Sequence, residues 1–95
     1  MNVTTQELRR AANLLLDHLE ASGQTEFKID EDFYWNIPQE QLYNPYDKPT
    51  DLDMGQLSDD LGEIRKIVND ESPCVGYALV WLASVCRRVG EKAVG

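Results

Sequence analysis

Apolar residues recur at helical spacing toward both ends of the chain and alternate in its middle. Leu8, Ala12, Leu15 and Leu19 repeat every three or four positions, with Ala11 and Leu16 widening the stripe. This pattern predicts a helix over residues 5–21. Thr4 and Glu7 fit a reciprocal cap at its start, and Ser22-Gly23 supplies the stop. From Thr25 the period changes to two. Phe27 and Ile29 alternate with Glu26 and Lys28, Asp30-Glu31-Asp32 interrupts, and Phe33, Trp35 and Ile37 then alternate with Tyr34 and Asn36. Two short strands around a polar turn are predicted, the second ended by Pro38, which lacks the ladder donor.

Residues 38–55 hold Pro38, Asn44, Pro45, Pro49 and Gly55 and read as a long irregular connection. One helical turn fits residues 38–42, and a third short strand fits around Leu52 and Met54. A second long helix is predicted at 56–68, striped by Leu57, Leu61, Ile64 and Val68. Asp59 and Asp60 lie in its first turn and Arg65 and Lys66 near its end, as the helix dipole favours. After Asn69-Asp70-Glu71, Ser72 and Pro73 read as the cap and first position of a third long helix ending at Val89-Gly90. That helix is apolar on most sides and so should be central to its fold.

The architecture that satisfies these stripes is α+β: three helices, the third between the first and second, with a small antiparallel sheet or hairpin from the middle segment. The alternative is an all-α bundle with an irregular 24–55 segment. Residues 1–95 read as a single globular domain, burying about two-thirds of the unfolded surface around one core. Tyr77 and Trp81 exceed what one small core readily hides, which leaves monomer and homodimer both open.

Charge constrains the function more than composition does. The net charge is −8 on 95 residues, and residues 26–71 carry thirteen acidic side chains against four basic ones. Clustered Lys and Arg, which phosphate recognition requires, are missing, so nucleic acid and anionic membrane surfaces are excluded as expected partners. A basic protein is the partner this charge allows. The first residues show no basic start and no apolar run of signal-peptide length, so no export leader is expected. Cys74 and Cys86 stand twelve apart on the predicted third helix, about 18 Å along its axis, too far for a disulfide. Buried free thiols in a reducing cytoplasm are the expectation.

Candidate chemistry is sparse. His18 lies off the stripe of its helix, next to Asp17 and near Glu20, and a general acid/base role would need a second group brought close in space. Asp59, Asp60 and Glu63 share a helix face and are the weak candidates for a hard cation, against the plainer reading as charge that complements the helix dipole. A metal- or small-molecule-binding regulator is the alternative function they would serve. No phosphate loop, nucleophile elbow or Cys-x-x-Cys is present, so neither an enzyme nor a cofactor is expected. What remains is the acidic insert with its aromatic residues. Tyr34 should face opposite to Phe33 and Trp35, and Tyr43 and Tyr46 fall in the irregular stretch. Exposed tyrosines among carboxylates make good protein contacts. Asp30, Asp32, Tyr34, Tyr43, Tyr46, Asp47 and Asp51 are therefore the candidate partner-binding residues, on a non-enzymatic module of inhibitor or immunity type.

Four stretches resemble a family of small acidic bacterial proteins of uncharacterised function. They are residues 32–38 (DFYWNIP), 42–46 (LYNPY), 55–61 (GQLSDDL) and 75–80 (VGYALV). The resemblance implies a bacterial cytoplasmic origin and brings no activity with it. Asp70-Glu71-Ser72-Pro73 ahead of a helix is similar to a segment of the immunity proteins of nuclease bacteriocins, but their paired tyrosines and four-helix order are missing. Only the idea of a small acidic inhibitor carries over.

Overall fold

Six elements follow one another in the computed structural model, which describes residues 1–94: α1 (Thr5–Ala21), β1 (Phe33–Asn36), α2 (Gln39–Leu42), β2 (Asp53–Gln56), α3 (Leu57–Val68) and α4 (Ala78–Lys92). The α+β class and the boundaries of α1 follow the sequence pattern closely. Thr4 and Glu7 form the full reciprocal cap: the Glu7 N–H donates to the Thr4 hydroxyl oxygen at 3.0 Å, and the Thr4 N–H donates to the Glu7 carboxylate. At the other end Gly23 takes φ 82°, and the N–H groups of Gly23 and Gln24 return to the carbonyls of Glu20 and Leu19. Asp70 closes α3 in the same way at φ 59°, with its own N–H on Ile67 and that of Glu71 on Lys66. Asp is among the few residues with a Cβ that tolerate this left-handed position.

The sheet differs from the expected hairpin. β1 pairs antiparallel with β2, placing Phe33 opposite Gln56, Tyr34 opposite Gly55, Trp35 opposite Met54 and Asn36 opposite Asp53. Residues 27–29 form no strand. The third short strand expected around Leu52 and Met54 is thus the true partner, and α2 is the expected single turn between the two. The acidic run 30–32 does not serve as a hairpin turn because its side chains are engaged elsewhere. Glu31 pairs with Arg88 and Lys92 on α4, and Asp32 holds the start of α3.

The third long helix starts five residues later than its Ser-Pro signal suggests. The Ser72 N–H returns to the Lys66 carbonyl, so it still belongs to the closure of α3. Cys74-Val75-Gly76 is a poor helix-forming run. Pro73 and Val75 instead fold over a shallow recess shared with Ile67 and Trp81. The helix then continues through Gly90 to Lys92, whose ammonium reaches Glu31 at 3.4 Å.

Packing is uneven. α3 lies against α4, and β1 against β2, while α1 has no extensive contact with any other element. The predicted sandwich with α4 between α1 and α3 is therefore not formed. α1 is tied down through Gln24, whose amide exchanges two hydrogen bonds with the Val94 backbone at 2.8 and 2.9 Å. Leu57 is the only buried core residue among those described, 8% exposed. Both cysteines are exposed free thiols, not the buried ones expected, because Cys74 lies in the 69–77 connection and Cys86 on the outer side of α4. No helix among the described residues is long and apolar enough to cross a membrane.

Candidate functional site

The connection between α2 and β2 is irregular but well braced. Gln41 sits in the single turn of α2 and reaches across the loop. Its amide nitrogen donates to the Asp51 carboxylate at 2.7 Å, and its oxygen accepts from the N–H groups of Thr50 and Asp51. Asn44 pins the tip, accepting from the Tyr46 N–H at 3.1 Å and donating to Asp47. This is the Asx turn that an Asn before a Pro favours. The two braces hold out Tyr43 and Tyr46, which are 79% and 92% exposed. Asp47, Asp51 and Asp53 are exposed around them, and so are the apolar Leu42 and Leu52.

Of the seven candidate partner-binding residues, four gather on this loop: Tyr43, Tyr46, Asp47 and Asp51. Asp30 is exposed and lies beside Lys28. Tyr34 and Asp32 are half-buried and work inside the molecule. The Tyr34 ring lies over Gly55, and its hydroxyl donates to the Asp60 carboxylate at 2.7 Å, which also accepts from the Ser84 hydroxyl. One carboxylate thus joins β1, α3 and α4. Burial, with the Asp60 carboxylate second, pushes the Tyr34 phenol above its usual range. As expected, Tyr34 turns opposite to Phe33 and Trp35, and those two rings stay exposed on the outer sheet face. Gln41 and Asn44 were not among the expected site residues. Asn44-Pro45 carried a turn signal, whereas a long-range brace from Gln41 has none.

Asp32 acts as the cap that α3 lacks locally. No side chain at Gln56 caps this helix; instead the Asp32 carboxylate accepts from the Ser58 N–H at 2.8 Å, the Ser58 hydroxyl at 3.0 Å and the Gln56 amide at 2.8 Å. The Gln56 amide and then the Ser58 N–H hold the Asp32 carboxyl below its usual range. Glu31 faces α4, where its oxygens meet the Arg88 guanidinium at 2.7 and 3.2 Å. That hydrogen bond, with Lys92 nearby, lowers the Glu31 carboxyl from 4.5 to about 2. The same pairing raises Arg88.

These carboxyls ionise more readily in the folded chain than in the unfolded one, so acid favours unfolding. The Glu31 contribution is complete above about pH 4.5 and is lost as pH falls toward 2. Thermal melts at fixed ionic strength should show Tm level above pH 5 and falling below it, with Glu31→Gln flattening part of the fall. A Glu31→Gln curve parallel to wild type would mean that the Arg88 pair is not what titrates.

The weak cation candidates do not converge. Asp60 is engaged by Tyr34 and Ser84, Glu63 pairs with Lys66 at 3.2 Å, and Asp59 is exposed. Among the described residues no group of three His, Cys, Asp or Glu side chains is placed to hold a metal ion. The surface recess between Ile29, Leu57, Leu61 and Val85, about 180 Å³, is below the usual size of a ligand pocket. No protein-family model, curated protein or solved structure matches this chain.

Proposed function

We propose that this chain is a non-enzymatic protein-interaction module of the small acidic inhibitor type, which covers a basic partner with the loop between α2 and β2. The observation that carries this reading is the pair Tyr43 and Tyr46, held almost fully in solvent by Gln41 and Asn44 and flanked by Asp47 and Asp51. A loop braced by side-chain hydrogen bonds loses little freedom on docking, and tyrosine brings large area for few rotatable bonds. The nearby carboxylates then select for Arg and Lys on the other side. The stretches resembling a family of small acidic bacterial proteins fit a bacterial cytoplasmic setting for such a module.

A photo-crosslinking amino acid placed at Tyr46 in the native host tests the reading. The expected result is one discrete adduct with a basic protein, absent when the same group stands at Leu14 on α1. Reversing Asp47 and Asp51 to Lys should weaken capture by about tenfold or more, since close charge pairs at interfaces couple by about 1.5 kcal/mol upward. No adduct at Tyr46, or one indifferent to both reversals, refutes it.

A further inference from the structure

The exposed surface is too large for a chain that stands alone. Its 8164 Å² exceeds by about 2,600 Å² what a folded monomer of this mass presents. The radius of gyration, 15.2 Å, likewise exceeds the roughly 12 Å expected for this length. Part of the excess lies on two helix faces. α1 carries a stripe of Leu8, Ala12, Leu15 and Leu19 that nothing extensively covers, with Leu15 65% exposed. α4 uses Ala78, Trp81 and Val85 toward α3, but one position further on, Leu79, Leu82 and Cys86 form a second stripe that lies open.

The two open stripes match. Leu8, Ala12, Leu15 and Leu19 are spaced four, three and four residues apart, and Leu79, Leu82 and Cys86 three and four. This is the repeat with which two helices interdigitate at a shallow crossing angle. Ala12 provides the small residue that lets the helices approach.

We infer that this chain is a two-fold homodimer in which α1 of each copy seats on the outer α4 stripe of the other. A second copy is the occupant that fits both vacancies at once, because each chain carries one protruding stripe and one matching seat. A two-fold axis then makes both contacts from the same pair of surfaces and leaves no stripe open to further growth. The excess surface, about 2,600 Å² on each chain and shared with the sheet face and the tyrosine loop, leaves ample area for a dimer contact of standard size. A heterologous protein would need to present both a seat and an arm of the same spacing. The residues used are disjoint from Tyr43, Tyr46 and the loop acids, so this inference and the proposed function fail independently.

The test is mass by light scattering across a wide concentration range, with variants chosen for complementation. Wild type should run at twice 10.8 kDa. Leu15→Glu and Leu82→Glu should each be monomeric, because in either homodimer both contacts carry one damaged side. Mixed together they should recover dimer, since one of the two contacts then joins an intact α1 to an intact α4. Circular dichroism of each variant confirms that its helices persist. A monomeric wild type overturns the inference whatever the variants do. A dimer that Leu82→Glu leaves intact, or variants that stay monomeric on mixing although folded, also overturns it, the first by pointing to α1 against α1.

Discussion

Replacing Leu57 with alanine is expected to lower the free energy of unfolding by about 2–3 kcal/mol. Leu57 is the only buried core residue described, and it is the first residue of α3, directly after β2. Its backbone N–H donates to the Asp32 carbonyl at 2.6 Å, so the side chain is fixed where strand, helix and the 30–32 run meet. It lines the recess with Ile29, Leu61 and Val85. Truncation would merge the lost volume with that open recess, where water and neighbouring side chains can move in. The cavity contribution is therefore small and the cost falls at the low end of the range for leucine-to-alanine changes. Leu57→Met, which conserves volume, should cost less than about 1.5 kcal/mol. Urea unfolding at one fixed protein concentration checks both, since the midpoint of an oligomer depends on concentration. A Leu57→Ala cost under about 0.5 kcal/mol would place the centre of the core elsewhere.

Local signals in this sequence are legible and long-range ones are not. The ends of α1 and the end of α3 follow from caps built within six residues of each other, such as Thr4 with Glu7 and Gly23 with Glu20. Periodicity marked β1 and placed Tyr34 opposite to Phe33 and Trp35. It did not select β1's partner, because alternation at 27–29 is as good a strand pattern as that at 53–56. What decides is the use of Glu31 and Asp32 elsewhere, through bonds spanning 57 and 26 residues that no local pattern encodes. The Ser72-Pro73 start signal failed because Ser72 belongs to the closure of α3 and Cys74-Val75-Gly76 is a poor helix-forming run.

The acidic residues show the same division. In the sequence Asp30, Asp32, Asp47, Asp51 and Asp60 are alike, one excess of negative charge in the middle of the chain. In the structure Asp32 caps a helix and Asp60 joins three elements, while Asp47 and Asp51 remain on the tyrosine loop. Of the four acidic docking candidates, Asp32 is thus internal bracing. The stripe of α1 misled in the opposite direction. It is amphipathic enough to predict burial, yet no other element of this chain covers it extensively.

Gly55→Ala is expected to cost about 2 kcal/mol, and the sign of its effect should depend on Tyr34. The backbone at Gly55 is not left-handed, so alanine fits the strand without conformational strain. The obstacle is that a β-carbon there would overlap the Tyr34 ring lying across it. An aromatic ring over a cross-strand glycine is a packing device in its own right. Moving the ring also breaks the Tyr34 hydroxyl bond to Asp60, leaving that carboxylate with Ser84 alone. Tyr34→Phe, which removes only the hydroxyl, should cost about 1 kcal/mol. Combined with Gly55→Ala it should add almost nothing, because the ring has already left its seat. With Tyr34→Ala in place the obstacle is gone, and Gly55→Ala should become stabilising by about 0.4–1 kcal/mol through a less flexible unfolded chain. Chemical unfolding of these variants measures every step of the cycle. Additive costs for Gly55→Ala and Tyr34→Phe would show that the ring does not anchor the sheet to α3 and α4 through Asp60.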